Sequence, residues 1–317
     1  MRIKAALLGF AVLTALYLGA LVWLDARRQV FDGLVSLVSV LPVLVAISLA
    51  TYGARYARWY WLLLRAGYRV PVCLGFLAYL AGFAFTATPG KVGELIRIRY
   101  FEPMGVPAWR VIAVFVFERG MDLLVVLGLA MLAIQDAHLL ALSAGFVLLC
   151  LGLVVLLGRH PAVLHDLAYR LDGAGLRRTT SALRALARGL GGAAVWLRPA
   201  DVMLSVLAGV LAWGATAFGF VYLLRHLGVT GLPLAESLAI YPLSMLAGAA
   251  SMLPGGIGST EATITALLHA SGVPLEVGVM AAVGVRLATL WFAILCGLAS
   301  AAVLEAGWPA ERATTRA

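Results

Sequence analysis

Long runs without a charged residue recur along the whole chain, and they constrain its fold more than any other feature. Each run is long enough to cross a bilayer, which takes about 20 helical residues. With 63% hydrophobic and 12% charged residues, a soluble domain could not cover its surface with polar side chains. The sequence therefore predicts an all-α polytopic membrane protein. The uncharged runs are 5–24, 33–54, 70–90, 137–158, 202–224 and 237–260, and charges interrupt two further apolar stretches at 111–134 and 277–304.

Basic residues are distributed unevenly between the predicted loops, and in short loops they mark the cytoplasmic side. If 70–101 and 237–270 are hairpins that each return to the side from which they entered, the cytoplasmic side collects nearly all of the arginines. Full crossings would instead put the seven arginines of 159–200 outside. We therefore predict about six transmembrane helices plus two re-entrant helical hairpins. Both termini are predicted to lie in the cytoplasm of a bacterial cell, with the protein in its inner membrane.

The first apolar run follows Arg2 and Lys4, as in a signal peptide. It exceeds the usual apolar core of such peptides, about 7–15 residues, so we interpret it as a retained first span. The chain is then one membrane domain, 1–317, with a first repeat at 70–134 and a second at 237–304. Between them, 159–200 has leucines and arginines at helical spacing. It is predicted to lie as a basic amphipathic helix on an anionic leaflet, the alternative being a solvated cytoplasmic linker.

An internal repeat is visible in short motifs that recur in the same order. P-G-K-V-G-E at 89–94 is echoed by P-G-G-I-G at 254–258, and V-P at 106–107 is echoed by V-P at 273–274. Twelve residues beyond each of the latter prolines stands an arginine, Arg119 or Arg286. An odd number of predicted crossings separates the copies, so they should be inverted in the membrane. Inverted repeats with interrupted helices are typical of secondary transporters.

The Pro-Gly interruptions are predicted to carry a binding function. A break inside a membrane segment frees backbone N–H groups that lipid cannot satisfy, and a helix that resumes there presents a positive dipole end. The first break adds Lys91, whereas Ser259 and Thr260 add hydroxyls after the second. Two such ends could bind an anionic group such as a lipid phosphate. The alternative is that the glycines only let the chain turn and pack.

Charged residues in the middle of 111–134 form a second candidate site. Each charge costs at least about 2.5–3.5 kcal/mol at that depth, so Glu118, Arg119 and Asp122 should face the protein interior and find partners there. Glu118 and Asp122 share one helix face, being four residues apart. The cluster is either a structural ion-pair network or a site for a lipid headgroup or a coupling ion, and the two roles are compatible.

Arg286 has no acidic residue within one turn of its own helix, so its partner must come from another element, with Glu261 and Glu94 as candidates. Glu94 and Arg97 are three residues apart after the first break and would share a helix face. This pair suits the mouth of a headgroup site, although an ordinary interfacial charge cluster would look the same.

At these motifs the sequence resembles the lysylphosphatidylglycerol synthase transmembrane, or flippase-like, family. The resemblance covers roughly residues 5–304 and is carried by T-P-G-K-V-G-E-L-I-R at 88–97, E-R-G-M-D-L-L at 118–124 and L-P-G-G-I-G-S-T-E-A at 253–262. It implies a multi-pass inner-membrane protein acting on lipids. The aminoacyl-transfer domain of the family's synthases does not follow the membrane segments in these 317 residues, so no enzymatic activity is expected.

The sequence thus predicts a flippase or translocator for an anionic, polyprenyl or hopanoid-type lipid, with membrane lipids rather than nucleic acid as its partners. The alternative is a non-catalytic subunit that scaffolds a lipid-synthesis enzyme. The cysteines stand singly, so neither a metal nor another cofactor is predicted. The candidate site comprises Pro89, Gly90, Lys91, Gly93, Glu94, Arg97, Glu118, Arg119, Asp122, Pro254, Gly255, Gly256, Gly258, Glu261 and Arg286.

Overall fold

The computed structural model describes residues 31–133 and 191–314, together with Gly19 and scattered single positions between 136 and 169. Within these residues all regular structure is helical. The predicted spans 5–24 and 137–158, and most of the predicted amphipathic segment 159–200, lie largely outside the described residues.

The helices follow the apolar runs closely but not at every boundary. The helix that begins at Phe31 continues past the end of its uncharged run at 54 as far as Arg65. Short 3₁₀ turns interrupt or extend several helices, notably at Gly82–Phe85, Pro89–Ile96 and Pro254–Gly256. The α-helices are α1 (Phe31–Arg65), α2 (Val72–Ala81), α3 (Arg97–Phe101), α4 (Ala108–Ala130), α5 (Pro199–His226), α6 (Leu234–Ala250), α7 (Ser259–Ala270), α8 (Leu275–Arg286) and α9 (Phe292–Thr314).

Three stretches of the described residues are long and apolar enough to cross a membrane: Leu37–Arg65, Pro199–His226 and Leu275–Ala306. The last joins α8 to α9 through a π-helical turn. Shorter apolar helical stretches occur at Val72–Phe85 and Leu234–Ala250. The prediction of an all-helical membrane protein is confirmed at this level.

The G-V-P motifs form the same turn in both copies of the repeat. Gly105 and Gly272 take left-handed φ values of 86° and 84°, the usual way to end a helix. The following valine N–H donates to the carbonyl five residues earlier, at 3.1 Å for Val106 and 3.0 Å for Val273. A proline then precedes the next helix in each case. The sequence repeat is therefore also a repeat of local structure.

The chain divides into two compact units. Unit 1 comprises the described parts of Met1–Ala50, Phe76–Ile96 and Thr216–Ala317. In it, α7 packs against both α6 and α8, and α9 packs against the Gly82–Phe85 turn. A hydroxyl stabilises the π-helical turn, since Ser48 Oγ donates to the Ala288 carbonyl at 2.7 Å.

Unit 2 comprises Thr51–Gly75 and the described parts of Arg97–Ala215. Large aromatic side chains fill its interior, and Trp59, Phe101 and Trp196 are each at most 1% exposed. The Trp196 indole N–H donates to the Leu62 carbonyl at 2.8 Å. This bond satisfies the polar atom of a fully buried ring, as buried polar groups require.

Candidate functional site

The first break, residues 88–93, turns the chain through two consecutive left-handed residues. Gly90 has φ 61° and ψ 13°, and Lys91 has φ 56° and ψ 21°. A side chain in this conformation is uncommon because Cβ crowds the backbone. The Thr88 hydroxyl supports the turn, donating to the Phe85 carbonyl at 2.9 Å and accepting from the Gly93 N–H at 2.7 Å.

The second break, residues 253–258, reproduces this backbone. Gly255 has φ 62° and ψ 11°, and Gly256 has φ 64°. In the sequence repeat these glycines correspond to Gly90 and Lys91, so the aligned positions share their left-handed conformation. The prediction that the two Pro-Gly motifs are equivalent breaks agrees with this local geometry.

Both breaks line one pocket in unit 1, which we call the break pocket. It is partly open to the surroundings, and its volume including this open space is about 400 Å³. Thr88, Gly90 and Lys91 contribute from the first break. The opposite wall comes from the second break and α6, and the first turn of α7 adds Thr260. Thr260 is 1% exposed, and its hydroxyl has no hydrogen-bond partner among the described residues.

The expectation of free backbone N–H groups at the breaks is partly wrong, because the protein caps some of them itself. The Thr88 hydroxyl accepts a hydrogen bond from the Gly93 N–H. A carboxylate oxygen of Glu261 accepts the Gly258 N–H at 2.8 Å, just before α7 begins. Negative charge near a helix N-terminus offsets the positive end of the helix dipole. The Gly258 N–H at the start of α7 is thus already satisfied within the protein, contrary to the sequence prediction.

Arg286 is paired with Glu261, one of its two predicted partners. Its Nε donates to Glu261 Oε1 at 2.8 Å, and its Nη2 donates to the Gly255 carbonyl at 2.6 Å. The arginine is 2% exposed. It therefore neutralises Glu261 and holds a carbonyl of the second break, which makes it a positioning residue for the break pocket.

The predicted mouth formed by Glu94 and Arg97 is wrong, because both side chains are buried. Glu94 is 1% exposed and accepts a hydrogen bond from the Thr86 hydroxyl at 2.8 Å. Arg97 is fully buried in unit 2, over the Trp59 ring with its guanidinium 5.0 Å from the ring centroid.

Unit 2 contains a cluster of arginines around the two carboxylates of α4, which we call the arginine cluster. Its centre is Arg58, with Nη2 3.0 Å from Glu118 Oε1 and 2.7 Å from Asp122 Oδ1. Arg119 Nη2 lies 3.4 Å from Glu118 Oε2 and 3.2 Å from Asp122 Oδ2. The members are Arg55, Arg58, Arg97, Glu118, Arg119 and Asp122.

Arg55 and Arg58 are the members that sequence reasoning missed. The uncharged run ends at 54, which suggests a loop at these positions, whereas α1 continues to Arg65. The available signal was their spacing of three residues, which puts both on one helix face. Arg58 also donates to the Ser205 carbonyl at 3.2 Å.

The structure thus collects the predicted residues in two groups, with Arg286 in unit 1 and Arg119 in unit 2. A common headgroup site formed by both arginines stays a prediction. Comparison with curated proteins gives no match. Residues 6–297, including both breaks and the arginine cluster, match the family described as the lysylphosphatidylglycerol synthase TM region. The chain therefore belongs to the lysylphosphatidylglycerol synthase transmembrane family.

Proposed function

We propose that this protein is a flippase that moves a lipid between the leaflets of a bacterial inner membrane and holds its headgroup at the break pocket. The observation that carries the proposal is that two matching left-handed breaks line one pocket within a unit of apolar helices. Interrupted backbone in a membrane is tolerated where protein or a water-filled cavity satisfies it. Secondary transporters place their substrates at such interruptions.

The proposed topology follows the sequence prediction of about six crossings, two re-entrant hairpins and two cytoplasmic termini. The hairpins are α2 with the first break and α6–α7 with the second. Their matching backbone supports a repeat, and the proposed topology makes this repeat inverted, so that each copy faces one side of the membrane. Alternate opening of the copies would expose a headgroup first to one leaflet and then to the other.

The break pocket suits a headgroup with one anionic group and little bulk. Lys91 brings a positive charge to its lining, and Thr260 brings a buried hydroxyl. Most of the remaining lining is glycine and apolar side chains, which lets the backbone approach a ligand closely. Anionic phospholipids, polyprenyl phosphates and hopanoid-type lipids are the substrate classes to compare.

The test is transfer of fluorescent lipids in liposomes that contain the purified protein, with a membrane-impermeant quencher reporting the outer leaflet. We expect faster transfer than in empty liposomes, and slower transfer for Lys91→Gln, because one charge is removed from the pocket. Arg99→Gln is the matched control, since Arg99 is an exposed cation outside the pocket.

No transfer above empty liposomes across the three lipid classes would contradict a flippase. If the isolated protein is inactive and instead copurifies stoichiometrically with a lipid-synthesis enzyme, the scaffold alternative is correct.

A further inference from the structure

The open edge of the arginine cluster is formed by two guanidinium groups that share one carboxylate oxygen. Arg55 Nη1, from α1, lies 3.3 Å from Asp122 Oδ2. Arg119 Nη2, from α4, lies 3.2 Å from the same oxygen. The two nitrogens are therefore no farther apart than the sum of these distances, a spacing that one small anion can bridge.

Asp122 is bound unequally on its two sides. Its Oδ1 is 2.7 Å from Arg58 Nη2, within the range of about 2.7–2.9 Å that is usual for charge-assisted hydrogen bonds. Both contacts to Oδ2 are longer than this range. Arg58 thus holds the carboxylate firmly, whereas the Arg55 and Arg119 contacts are the ones that a competing anion could replace.

Exposure increases across the cluster in the same direction. The Arg58 side chain is fully buried and Asp122 is 6% exposed, but Arg55 is 12% and Arg119 is 21% exposed. A ligand can therefore reach the outer pair without opening the centre.

Aromatic rings hold the outer guanidinium groups in place. Arg55 lies over Trp213 at 4.8 Å from the ring centroid, and Arg119 lies near Phe115 at 5.7 Å. Arginine stacks on aromatic faces and binds phosphate through parallel N–H donors. The rings would keep both groups oriented while their shared oxygen is exchanged.

We infer that Arg55 and Arg119 form a phosphate-binding clip in which Asp122 Oδ2 occupies the place of a phosphate oxygen when no ligand is bound. The ligand replaces Oδ2 at the two outer guanidinium groups, and Asp122 stays paired with Arg58. The ligand class is a phosphate mono- or diester, which has at least two unesterified oxygens that share its negative charge and can each accept from one guanidinium group. The inference rests on the proposed function insofar as it assigns the phosphate to a transported lipid.

The test is equilibrium binding to the full-length protein in detergent, so that it does not depend on transport. The probes are short-chain phosphatidylglycerol, glycerol phosphate as its soluble headgroup, and diacylglycerol with the same chains. We expect Arg55→Gln and Arg119→Gln each to weaken phosphatidylglycerol binding about tenfold or more, because each removes a charged hydrogen-bond donor. Arg55→Lys should lose less of this affinity, since lysine keeps the positive charge but lacks the parallel N–H donors of a guanidinium group.

Arg65→Gln is the matched control, because Arg65 pairs with Asp201 in the same unit but shares its carboxylate with no second arginine in the described contacts. It should bind phosphatidylglycerol as the wild type does. Thermal unfolding identifies variants that have lost their fold. If Arg55→Gln or Arg119→Gln does not fold, Arg55→Lys or Arg119→Lys is measured in its place.

Binding of glycerol phosphate that also depends on both arginines would show that the clip recognises free phosphate esters as well as lipids. Equal binding of phosphatidylglycerol by folded wild type, Arg55→Gln and Arg119→Gln would overturn the clip, as would equal binding of diacylglycerol and phosphatidylglycerol. If the wild-type protein binds phosphatidylglycerol through both arginines but transfers no lipid in liposomes, the clip is correct and the flippase proposal is contradicted.

Discussion

At the scale of single residues, Lys91 and Arg286 are two cations with different surroundings. Lys91 has a strained backbone and lines the break pocket. Arg286 is buried and bound to Glu261 and to the Gly255 carbonyl. The first lines the pocket in which we propose that a ligand binds, whereas the second maintains the shape of the protein. Their substitutions should therefore affect different measurements.

Replacing Lys91 with glycine separates its charge from its conformation. Relief of the left-handed strain, about 1 kcal/mol, should offset the greater flexibility of glycine in the unfolded state. We expect Lys91→Gly to unfold at the wild-type temperature or above, while lipid transfer slows as it does for Lys91→Gln. A variant that unfolds earlier and transfers lipid normally would show that the lysine has a structural role only.

Replacing Arg286 with methionine should destabilise the protein by about 3–5 kcal/mol, because Glu261 loses the partner of a largely buried ion pair. The measurement is unfolding in a denaturing detergent. Arg225→Met is the control, since Arg225 is exposed and donates a hydrogen bond to the Thr230 carbonyl. A double-mutant cycle with Glu261→Gln should give a clear coupling energy. Additive effects would show that the two side chains act independently.

At the scale of elements, close backbone contacts set how the helices of unit 1 pack. Gly297 lies on α9 where that helix meets the Gly82–Phe85 turn. A Cβ built at Gly297 would be 2.1 Å from the Ala84 backbone nitrogen. Only glycine allows this approach without movement of the backbone.

Gly297→Ala should therefore cost about 1–3 kcal/mol or more through overpacking. Gly214→Ala, on α5, is the matched control, because nothing lies within 4 Å of its added Cβ. That change should be neutral or slightly stabilising, since alanine favours helix. Unfolding followed by tryptophan fluorescence compares the two variants, and similar results for both would argue against a tight contact at Gly297.

The elements also show how far sequence reasoning reaches. The apolar runs, the two breaks and the Arg286–Glu261 partnership could be predicted, because periodicity, Pro-Gly pairs and the cost of a buried charge are local signals. The burial of Arg58 could not, since it depends on the carboxylates of α4, 60 residues away along the chain. The self-capping by Thr88 and Glu261 likewise depends on exact side-chain positions.

At the scale of the whole molecule, the family match over residues 6–297 and the three long apolar stretches establish an integral membrane protein. Each unit has its own polar feature, the break pocket in unit 1 and the arginine cluster in unit 2. The remaining question at this scale is which segments face each side of the membrane.

Cysteine labelling answers it. In a background in which Cys73, Cys150 and Cys296 are replaced, we expect Arg99→Cys to react only with a membrane-permeant maleimide in intact spheroplasts. Asp136→Cys and His269→Cys should react with the impermeant reagent, because re-entrant hairpins return the chain to its starting side. Labelling of Arg99→Cys from outside would contradict the proposed topology.

The matching left-handed turns carry different side chains, and steric crowding keeps them different. A Cβ at Gly256 would lie 2.7 Å from Thr260 Oγ1 and 3.1 Å from the Gly248 Cα, so a counterpart of Lys91 in the second turn would crowd both residues. The two turns are therefore not interchangeable. If the two turns are the gates of the proposed flippase, one gate carries a cation and the other does not. Such a carrier would bind its lipid more tightly in one orientation. Without lipid, it would favour the conformation that opens to one side of the membrane.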